Sequence, residues 1–162
     1  MDEIFKKRYS VRSFQKKGVE DEKIKEILEA IDSAPSAGGL KAREVMVIKD
    51  LEAKRKLAEA ADGQDSIIEA PIALVFFSVP SRSAKKYGER GRKLYSLQDV
   101  TIACSFAWLQ AIILGLSCCW VGAFDEKEVK NALEILADGK EDWRPIAILP
   151  IGYGREGEIK IV

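Results

Sequence analysis

The chain has 162 residues, 47% of them hydrophobic and 32% charged, which is typical of a globular protein with a buried core. Its 26 basic and 26 acidic side chains cancel, which excludes an overall positive field for nucleic acid or an anionic membrane. It contains no histidine, which excludes histidine-based triads, histidine-bound zinc and imidazole acid–base catalysis. Any chemistry must therefore come from a cofactor or from carboxylate, tyrosine, lysine or cysteine side chains.

The first third of the chain predicts a helix, a loop of small residues, a strand and a second helix. Apolar residues recur at helical spacing over 24–31. Pro35 ends this helix, and the small residues at 36–39 predict a loop. Residues 44–49 predict a strand, after which Asp50 is placed to cap a helix that Gly63 ends.

The middle of the chain contrasts an apolar run with a basic interval. Residues 72–79 are apolar except for Ser78 and of strand length, which predicts a central strand covered on both faces. The interval 81–95 is polar and basic, and we interpret it as a solvated loop that could close over a substrate. An RNA-binding interpretation stays open, because Tyr87 and Tyr95 lie among the cations and could stack on bases. Glu89 and the zero net charge disfavour it, so we expect no nucleic-acid partner.

Residues 102–124 contain no charged side chain and are long enough to span a bilayer. Gly115 and Ser117 divide the stretch, however, and no basic cluster immediately borders it to set an orientation. We therefore expect no membrane insertion. A long buried helix over 97–114 leading into a strand over 117–121 is the better prediction.

The last part of the chain predicts a further helix and the final strands. Asp125 and Glu128 have the spacing of a capping box ahead of an apolar helical pattern. Residues 145–151 predict a strand, 152–154 a turn and 158–162 a short terminal strand. Helices and strands mix without repeats or linkers, so residues 1–162 are expected to form a single domain of the α/β or α+β class.

Three cysteines lie in apolar stretches, two of them adjacent, and no CxxC motif is present. This odd count predicts reduced, buried thiols in a cytoplasmic protein. We interpret Trp108 as a core residue as well. Asp99 and Asp125 are interpreted as caps at the entries of helices rather than as catalytic groups.

One candidate binding region lies near the start of the chain. In an extended segment Arg8, Ser10 and Arg12 would share one face, which places two guanidinium groups around a hydroxyl. Such a face suits a phosphate, because guanidinium binds phosphate in a bidentate manner. Two solvated surface arginines are the alternative, and the residues alone leave it open.

The other candidate segments are loops that follow helices or strands. Small residues at 34–39 let backbone N–H groups approach a ligand, while the segments 120–124 and 152–155 follow predicted strands. Each segment by itself is also explained as an ordinary helix stop or turn. None matches a Walker loop or the spaced glycines of a dinucleotide fingerprint.

Taken in order, these segments resemble the nitroreductase family of FMN flavoproteins. The resemblance rests on Arg-x-Ser-x-Arg-x-Phe at 8–14, Ala-Pro-Ser-Ala-Gly at 34–38 and Ala-Pro-x-x-Leu-Val at 70–75. It continues with the long helix that begins near Asp99, Trp120 to Asp125, and Pro-Ile-Gly-Tyr-Gly at 150–154. The order and spacing of these motifs cover nearly the whole chain.

The resemblance implies an α+β fold: a three-layer α-β-α sandwich with a mostly antiparallel sheet, in a homodimer with FMN at the subunit interface. Arg8 and Ser10 would hold the FMN phosphate, with Arg155 as a second cation, and Arg12 would lie near the pyrimidine edge. The loop at 35–37 would reach the flavin from the other subunit. The full set of implied cofactor-binding residues is Arg8, Tyr9, Ser10, Arg12, Pro35, Ser36, Ala37, Gly38, Gly39, Gln64, Val121, Gly122, Ala123, Gly154 and Arg155.

The resemblance also implies an activity: FMN-dependent transfer of electrons from NADH or NADPH to nitroaromatic, quinone or related acceptors by a ping-pong mechanism. Because flavin carries the chemistry, no catalytic side chain and no metal are expected. An FMN-binding carrier or sensor without turnover is the alternative. Gly39, where the family often has Asn, and Arg43, where an aromatic residue is often near, depart from the pattern and could alter the acceptor pocket.

Overall fold

The computed structural model describes residues 3–135 and 140–155. A short 3-10 turn at Ala37–Gly39 and a π-helical turn at Gly91–Tyr95 accompany the regular elements. In chain order these are α1 (Glu3–Lys7), α2 (Asp21–Ser33), β1 (Arg43–Ile48), α3 (Leu51–Ala60), α4 (Asp65–Glu69), β2 (Ile72–Ser78), α5 (Pro80–Arg90), α6 (Ser96–Ile113), β3 (Ser117–Cys118), α7 (Glu126–Ala132) and β4 (Arg144–Gly152).

The four strands form one antiparallel sheet in the order β1-β2-β4-β3. β2 lies inside the sheet, where Val75 is opposite Met46 on one side and Ile148 on the other. Every residue of β2 is buried. The prediction of a central strand at 72–79 is therefore confirmed.

Alternate residues of β2 face different helical layers, because successive side chains in a strand point to opposite faces. Leu74 and Phe76 pack in the cluster that α2 and α6 contribute to. Val75 and Phe77 pack in the cluster of α3, α4 and α7. The sheet is thus covered on both sides, and the predicted three-layer α-β-α sandwich with an antiparallel sheet is confirmed.

The prediction of a solvated loop at 81–95 is wrong, because this interval is helical and continues into α6. The interval contains two glycines, a residue type that is unfavourable inside helices. Gly88 has φ +54 and kinks α5, while Gly91 packs so closely that an added Cβ would lie 2.6 Å from the carbonyl oxygen of Ser83. The rings of Tyr87 and Tyr95 meet edge-on at 5.2 Å and stabilise the segment.

The continuous helical stretch Pro80–Ile113 is long and apolar enough to cross a membrane by length and composition alone. A core helix passes the same test. One face of α6, including Val100, Ala103 and Ala107, is fully buried in the cluster beneath the sheet. This packing agrees with the prediction of a long buried helix.

The smaller predictions are partly confirmed. Asp50 accepts a hydrogen bond from the backbone N–H of Ala53, and Asp125 caps α7. β3 is shorter than the predicted strand at 117–121, because only Val121 pairs again with β4 after a break. Helix α4 was not predicted, and the strand predicted at 158–162 lies outside the described residues.

The three cysteines are buried and none is in a disulfide, as predicted. Cys104 and Cys118 pack in the layer of α2 and α6, whereas Cys119 faces the opposite layer. Burial raises the pKa of the Cys104 and Cys118 thiols well above the ordinary value. The adjacent pair therefore points to opposite faces of the sheet, and neither Cys104 nor Cys118 has the character of a reactive thiol.

Candidate functional site

The extended segment 8–14 docks beside the end of β3. The backbone N–H of Val11 donates to the carbonyl of Cys118 at 3.1 Å. Val11 and Phe14 are each 1% exposed and pack with Ala70 in a small apolar cluster. These two anchors fix which face of the segment points inward.

The polar residues of the segment differ in their exposure. Ser10 is half-buried and Arg12 is exposed. Arg8 is half-buried, and its guanidinium carbon lies 5.3 Å from the ring centroid of Trp108 on α6. Trp108 is thus only partly a core residue, and it orients Arg8 through a cation–π contact.

Arg155 is brought to the same segment by the terminal turn. Its backbone N–H donates to the carbonyl of Ser13 at 3.1 Å, and its Nε donates to the carbonyl of Phe14 at 2.8 Å. Its Nη2 lies 3.5 Å from the carboxylate of Glu69. Gly154, which pairs with Phe14, permits this close approach. Arg155 therefore lies against the segment that carries Arg8, Ser10 and Arg12, and we refer to these four predicted residues as the N-terminal cluster.

Gln64 directly precedes α4. The other end of α4 contacts the N-terminal segment, because Glu69 accepts a hydrogen bond from the N–H of Phe14 at 3.1 Å. Gln64 is half-buried, and its side chain does not cap the helix it precedes. Its amide is therefore not committed to the helix terminus.

The loop at 35–39 is held by Asp99, which is 2% exposed. Oδ1 of Asp99 accepts from the N–H of Ala37 at 2.8 Å, and Oδ2 accepts from the N–H of Ala42 at 3.1 Å. The interpretation of Asp99 as a helix cap is wrong, because the helix runs on before it into the π-helical turn. Its carboxylate instead fixes the shape of the loop.

Two glycines allow the loop to turn. Gly38 has φ +60 and Gly39 has φ +70, in the left-handed region that favours glycine. The hydroxyl oxygen of Ser36 accepts a hydrogen bond from the N–H of Lys41 at 2.9 Å. These contacts fix the shape of the loop. Among the described residues, no atom lies within 4 Å of a Cβ added at Gly39.

Arg43, which directly follows the loop, was not predicted to have a structural role. It is 6% exposed, and its Nη2 donates to the carbonyls of Ile31 and Ala34, each at 2.8 Å. These contacts satisfy the carboxyl end of α2. Burial lowers the pKa of the guanidinium. At this departure from the family pattern, a cation therefore hydrogen-bonds to the backbone that leads into the loop.

The loop and α6 enclose an open cavity of about 660 Å³ with mainly apolar walls. Apolar walls with a few polar groups are typical of small-molecule sites. The residues that line it are Pro35, Ser36, Ala37, Tyr95, Leu97, Gln98, Asp99, Thr101 and Ile102.

The segment 121–123 lies on the other side of Leu97. Val121 exchanges two backbone hydrogen bonds with Ile148, each 2.9 Å long, while Gly122 and Ala123 are exposed. Leu97 lines both the cavity and a smaller groove that includes Gly122. The segment 121–123 therefore lies beside Leu97, which also lines the cavity.

Within one chain the predicted residues form two groups rather than one site. On α6, Asp99 contacts the loop, and Trp108, nine residues later, contacts Arg8. Nine residues of α-helix correspond to about 14 Å along the helix axis. Between them α6 presents large apolar side chains to solvent, among them Ile102 at 36% and Phe106 at 37% exposure. An exposed apolar helix face is typical of a protein–protein contact surface.

A sequence profile described as the nitroreductase family matches residues 5–65 and 61–153 of this chain. Among curated proteins, the chain is 28% identical over 159 residues to an Archaeoglobus fulgidus protein described provisionally as an NADH dehydrogenase/NAD(P)H nitroreductase. The match covers 96% of this chain and 88% of that protein.

Two solved structures illustrate the likeness of the fold. A nitroreductase family protein from Clostridium novyi superposes with a TM-score of 0.85 at 25% identity, covering 96% of this chain and 87% of that one. An FMN-dependent nitroreductase from Clostridium difficile superposes with a TM-score of 0.78 at 27% identity, covering 98% and 90%. The similarity extends over the N-terminal cluster, the loop and α6 together.

Proposed function

This chain belongs to the nitroreductase family, and we propose that it is an FMN-dependent enzyme that passes electrons from NADH or NADPH to nitroaromatic, quinone or related acceptors. It is an oxidoreductase, as are the relatives named NAD(P)H nitroreductase and FMN reductase. One observation carries the proposal: the family match from residue 5 to 153 includes the loop, α6 and all of the N-terminal cluster except Arg155.

The N-terminal cluster fits the phosphate of FMN by its chemistry. Arg8 and Arg12 supply guanidinium groups that can bind phosphate oxygens in a bidentate manner, and Ser10 supplies a hydroxyl between them. Arg155 adds positive charge beside the same segment, partly offset by Glu69. In the proposed site Arg8 and Ser10 hold the phosphate, with Arg155 as a second cation.

The cavity beside the loop fits an aromatic ring, because its walls are mainly apolar and its loop backbone is fixed by Asp99. We assign the face of the flavin to the loop at 35–39 and to the backbone at 121–123, and the pyrimidine edge to Arg12 and Gln64. FMN, when bound, accepts hydride from NAD(P)H and passes electrons to the acceptor. The protein binds and orients it, and the charge of Arg12 favours negative charge at that edge.

The division of the proposed flavin-binding residues between the loop and the N-terminal cluster supports a homodimer with FMN at its interface. A two-fold contact through the apolar face of α6 would bring the loop of one chain towards the N-terminal cluster of its partner. Such a contact would also bury Ile102, Phe106 and the 63% exposed Ile113. In this arrangement each flavin site is incomplete without the second chain.

The family fold is that of soluble enzymes, and the buried, reduced thiols suit the reducing cytoplasm, where we place the protein.

Steady-state kinetics test the proposal. The FMN-loaded protein should oxidise NADH or NADPH in the presence of a quinone or a nitroarene. Double-reciprocal plots at several acceptor concentrations should give parallel lines, because a ping-pong enzyme releases the oxidised nucleotide before the acceptor binds. A protein that binds FMN stably but shows turnover with no pair of donor and acceptor would instead be a flavin carrier or sensor.

A further inference from the structure

The basic segment of α5 packs directly on the loop that borders the cavity. A Cβ added to Gly38 would clash with the phenol oxygen of Tyr87 and lie 2.9 Å from Nζ of Lys86. Lys86 therefore reaches the edge of the loop at 35–39. The segment lies at the mouth of the proposed flavin site rather than on a remote surface.

A second cation is tied to the wall of the same cavity. The guanidinium carbon of Arg90 lies 5.4 Å from the ring centroid of Tyr95, and its Nε donates to the phenol oxygen of that residue at 2.9 Å. Tyr95 lines the cavity, and its ring contacts the ring of Tyr87. The ammonium of Lys86 lies 5.3 Å from the Tyr87 ring. The two tyrosines thus connect both cations to the cavity rim.

These two cations differ from Arg92 and Lys93, which are paired with carboxylates. Lys93 lies 3.2 Å from Glu89, and Arg92 lies within 4.0 Å of Glu89 and of another carboxylate. Among the residues that the structure describes, neither Lys86 nor Arg90 forms an ion pair. Aromatic rings do not cancel a positive charge, so both exposed side chains remain able to bind an anion.

We propose that Lys86 and Arg90 form an anion site at the rim of the cavity, which binds a phosphate of the dinucleotide donor while its nicotinamide ring lies against the flavin. The inference rests on the proposed function, in which the donor is NADH or NADPH. A dinucleotide carries its phosphates away from its reactive ring, whereas quinone and nitroaromatic acceptors carry none. The site therefore acts on the donor half of the cycle and not on the acceptor half.

The test is to remove both charges and to measure nucleotide binding without turnover. Lys86→Gln combined with Arg90→Gln should weaken binding of NADP⁺ or NAD⁺, measured by calorimetry, about tenfold, the size of one lost charge-assisted hydrogen bond. The KM of the matching donor should rise similarly, while the KM of the quinone and the affinity for FMN stay unchanged. Lys93→Gln is the matched control, because that lysine is on the same segment but is paired with Glu89. Arg90→Lys in the wild-type background should retain most of the affinity.

The two nucleotides identify the phosphate involved. A loss confined to NADP⁺ and NADPH assigns the 2′-phosphate, whereas an equal loss for both nucleotides assigns the pyrophosphate, and either result supports the site. Unchanged binding, a loss matched by Lys93→Gln, or a loss of FMN affinity instead would overturn it. The calorimetry needs no reaction, so a wild-type protein that binds nucleotide but oxidises none would refute the proposed function and leave this site to be judged on binding.

Discussion

Replacing Asp99 by Asn should destabilise the protein, although the two side chains have the same shape. The two N–H groups that Asp99 accepts from lie on different oxygens, Oδ1 for Ala37 and Oδ2 for Ala42. An asparagine keeps one oxygen and presents an NH2 group to the other N–H. The site is 2% exposed, so water cannot replace the lost acceptor. Losing one hydrogen bond to a charged group should cost about 1.5–3 kcal/mol in the free energy of unfolding.

Asp125→Asn is a matched control in the same chain. Asp125 also accepts two backbone N–H groups, from Lys127 at 2.8 Å and Glu128 at 2.9 Å, but both bonds go to Oδ1 and the residue is exposed. An asparagine can keep both bonds, and Asn and Asp are equivalent at a helix N-cap. The free energy of unfolding should change by less than about 0.5 kcal/mol.

Urea unfolding followed by circular dichroism, at one protein concentration and without added FMN, measures both variants. The affinity for FMN should also fall for Asp99→Asn, because the loop it holds is assigned to the flavin, and should be unchanged for Asp125→Asn. Equal stabilities for the two variants would refute the reasoning from the geometry of the carboxylate.

Four further predictions follow from the described contacts. Arg8→Ala should weaken FMN binding about tenfold by removing a charge-assisted phosphate contact, and an unchanged affinity in a fluorescence titration would refute that assignment. Gly38→Ala should lower the free energy of unfolding by about 1 kcal/mol or more beyond the effect of Gly39→Ala. Both glycines have positive φ, but among the described residues only Gly38 has a neighbour that an added Cβ would meet. Phe106→Arg should be a monomer in sedimentation experiments and should bind FMN weakly. Leu51→Arg, on the opposite layer and 46% exposed, should stay dimeric. A dimeric Phe106→Arg variant would exclude the α6 interface. The three buried thiols should resist a disulfide reagent at pH 8 until urea is added, and rapid reaction of the folded protein would contradict their burial.

Much of the fold could be predicted because local patterns and tertiary packing agree. A run of six apolar residues, as in β2, is needed only where both faces of a strand are covered, which is what the two helical layers provide. Asp50 and Asp125 could be predicted as caps, because a cap bonds to groups two or three residues away.

The failures concern features that depend on distant residues. Asp99 bonds to groups 57 and 62 residues earlier in the chain, a contact that leaves no mark in its own neighbourhood. The helix at 80–95 is polar and contains Gly88 and Gly91, and its aromatic contact between Tyr87 and Tyr95 exists only once the segment has folded.

The candidate site shows the same division. Arg8, Ser10 and Arg12 were predicted to share one polar face of an extended segment, and the structure places Arg155 against the same segment, at Ser13 and Phe14. The separation of this cluster from the loop by about 14 Å of α6 depends on the packing of the whole chain. The role of Trp108 in orienting Arg8 likewise joins residues 100 positions apart.

The most direct test of the central claim is the visible absorption spectrum of the protein reconstituted with FMN, recorded anaerobically before and after NADH or NADPH is added. The account predicts bound flavin bands that bleach with at least one nucleotide and return when a quinone is added. A protein that binds no flavin at excess FMN, or whose flavin bands persist with both nucleotides, would contradict it.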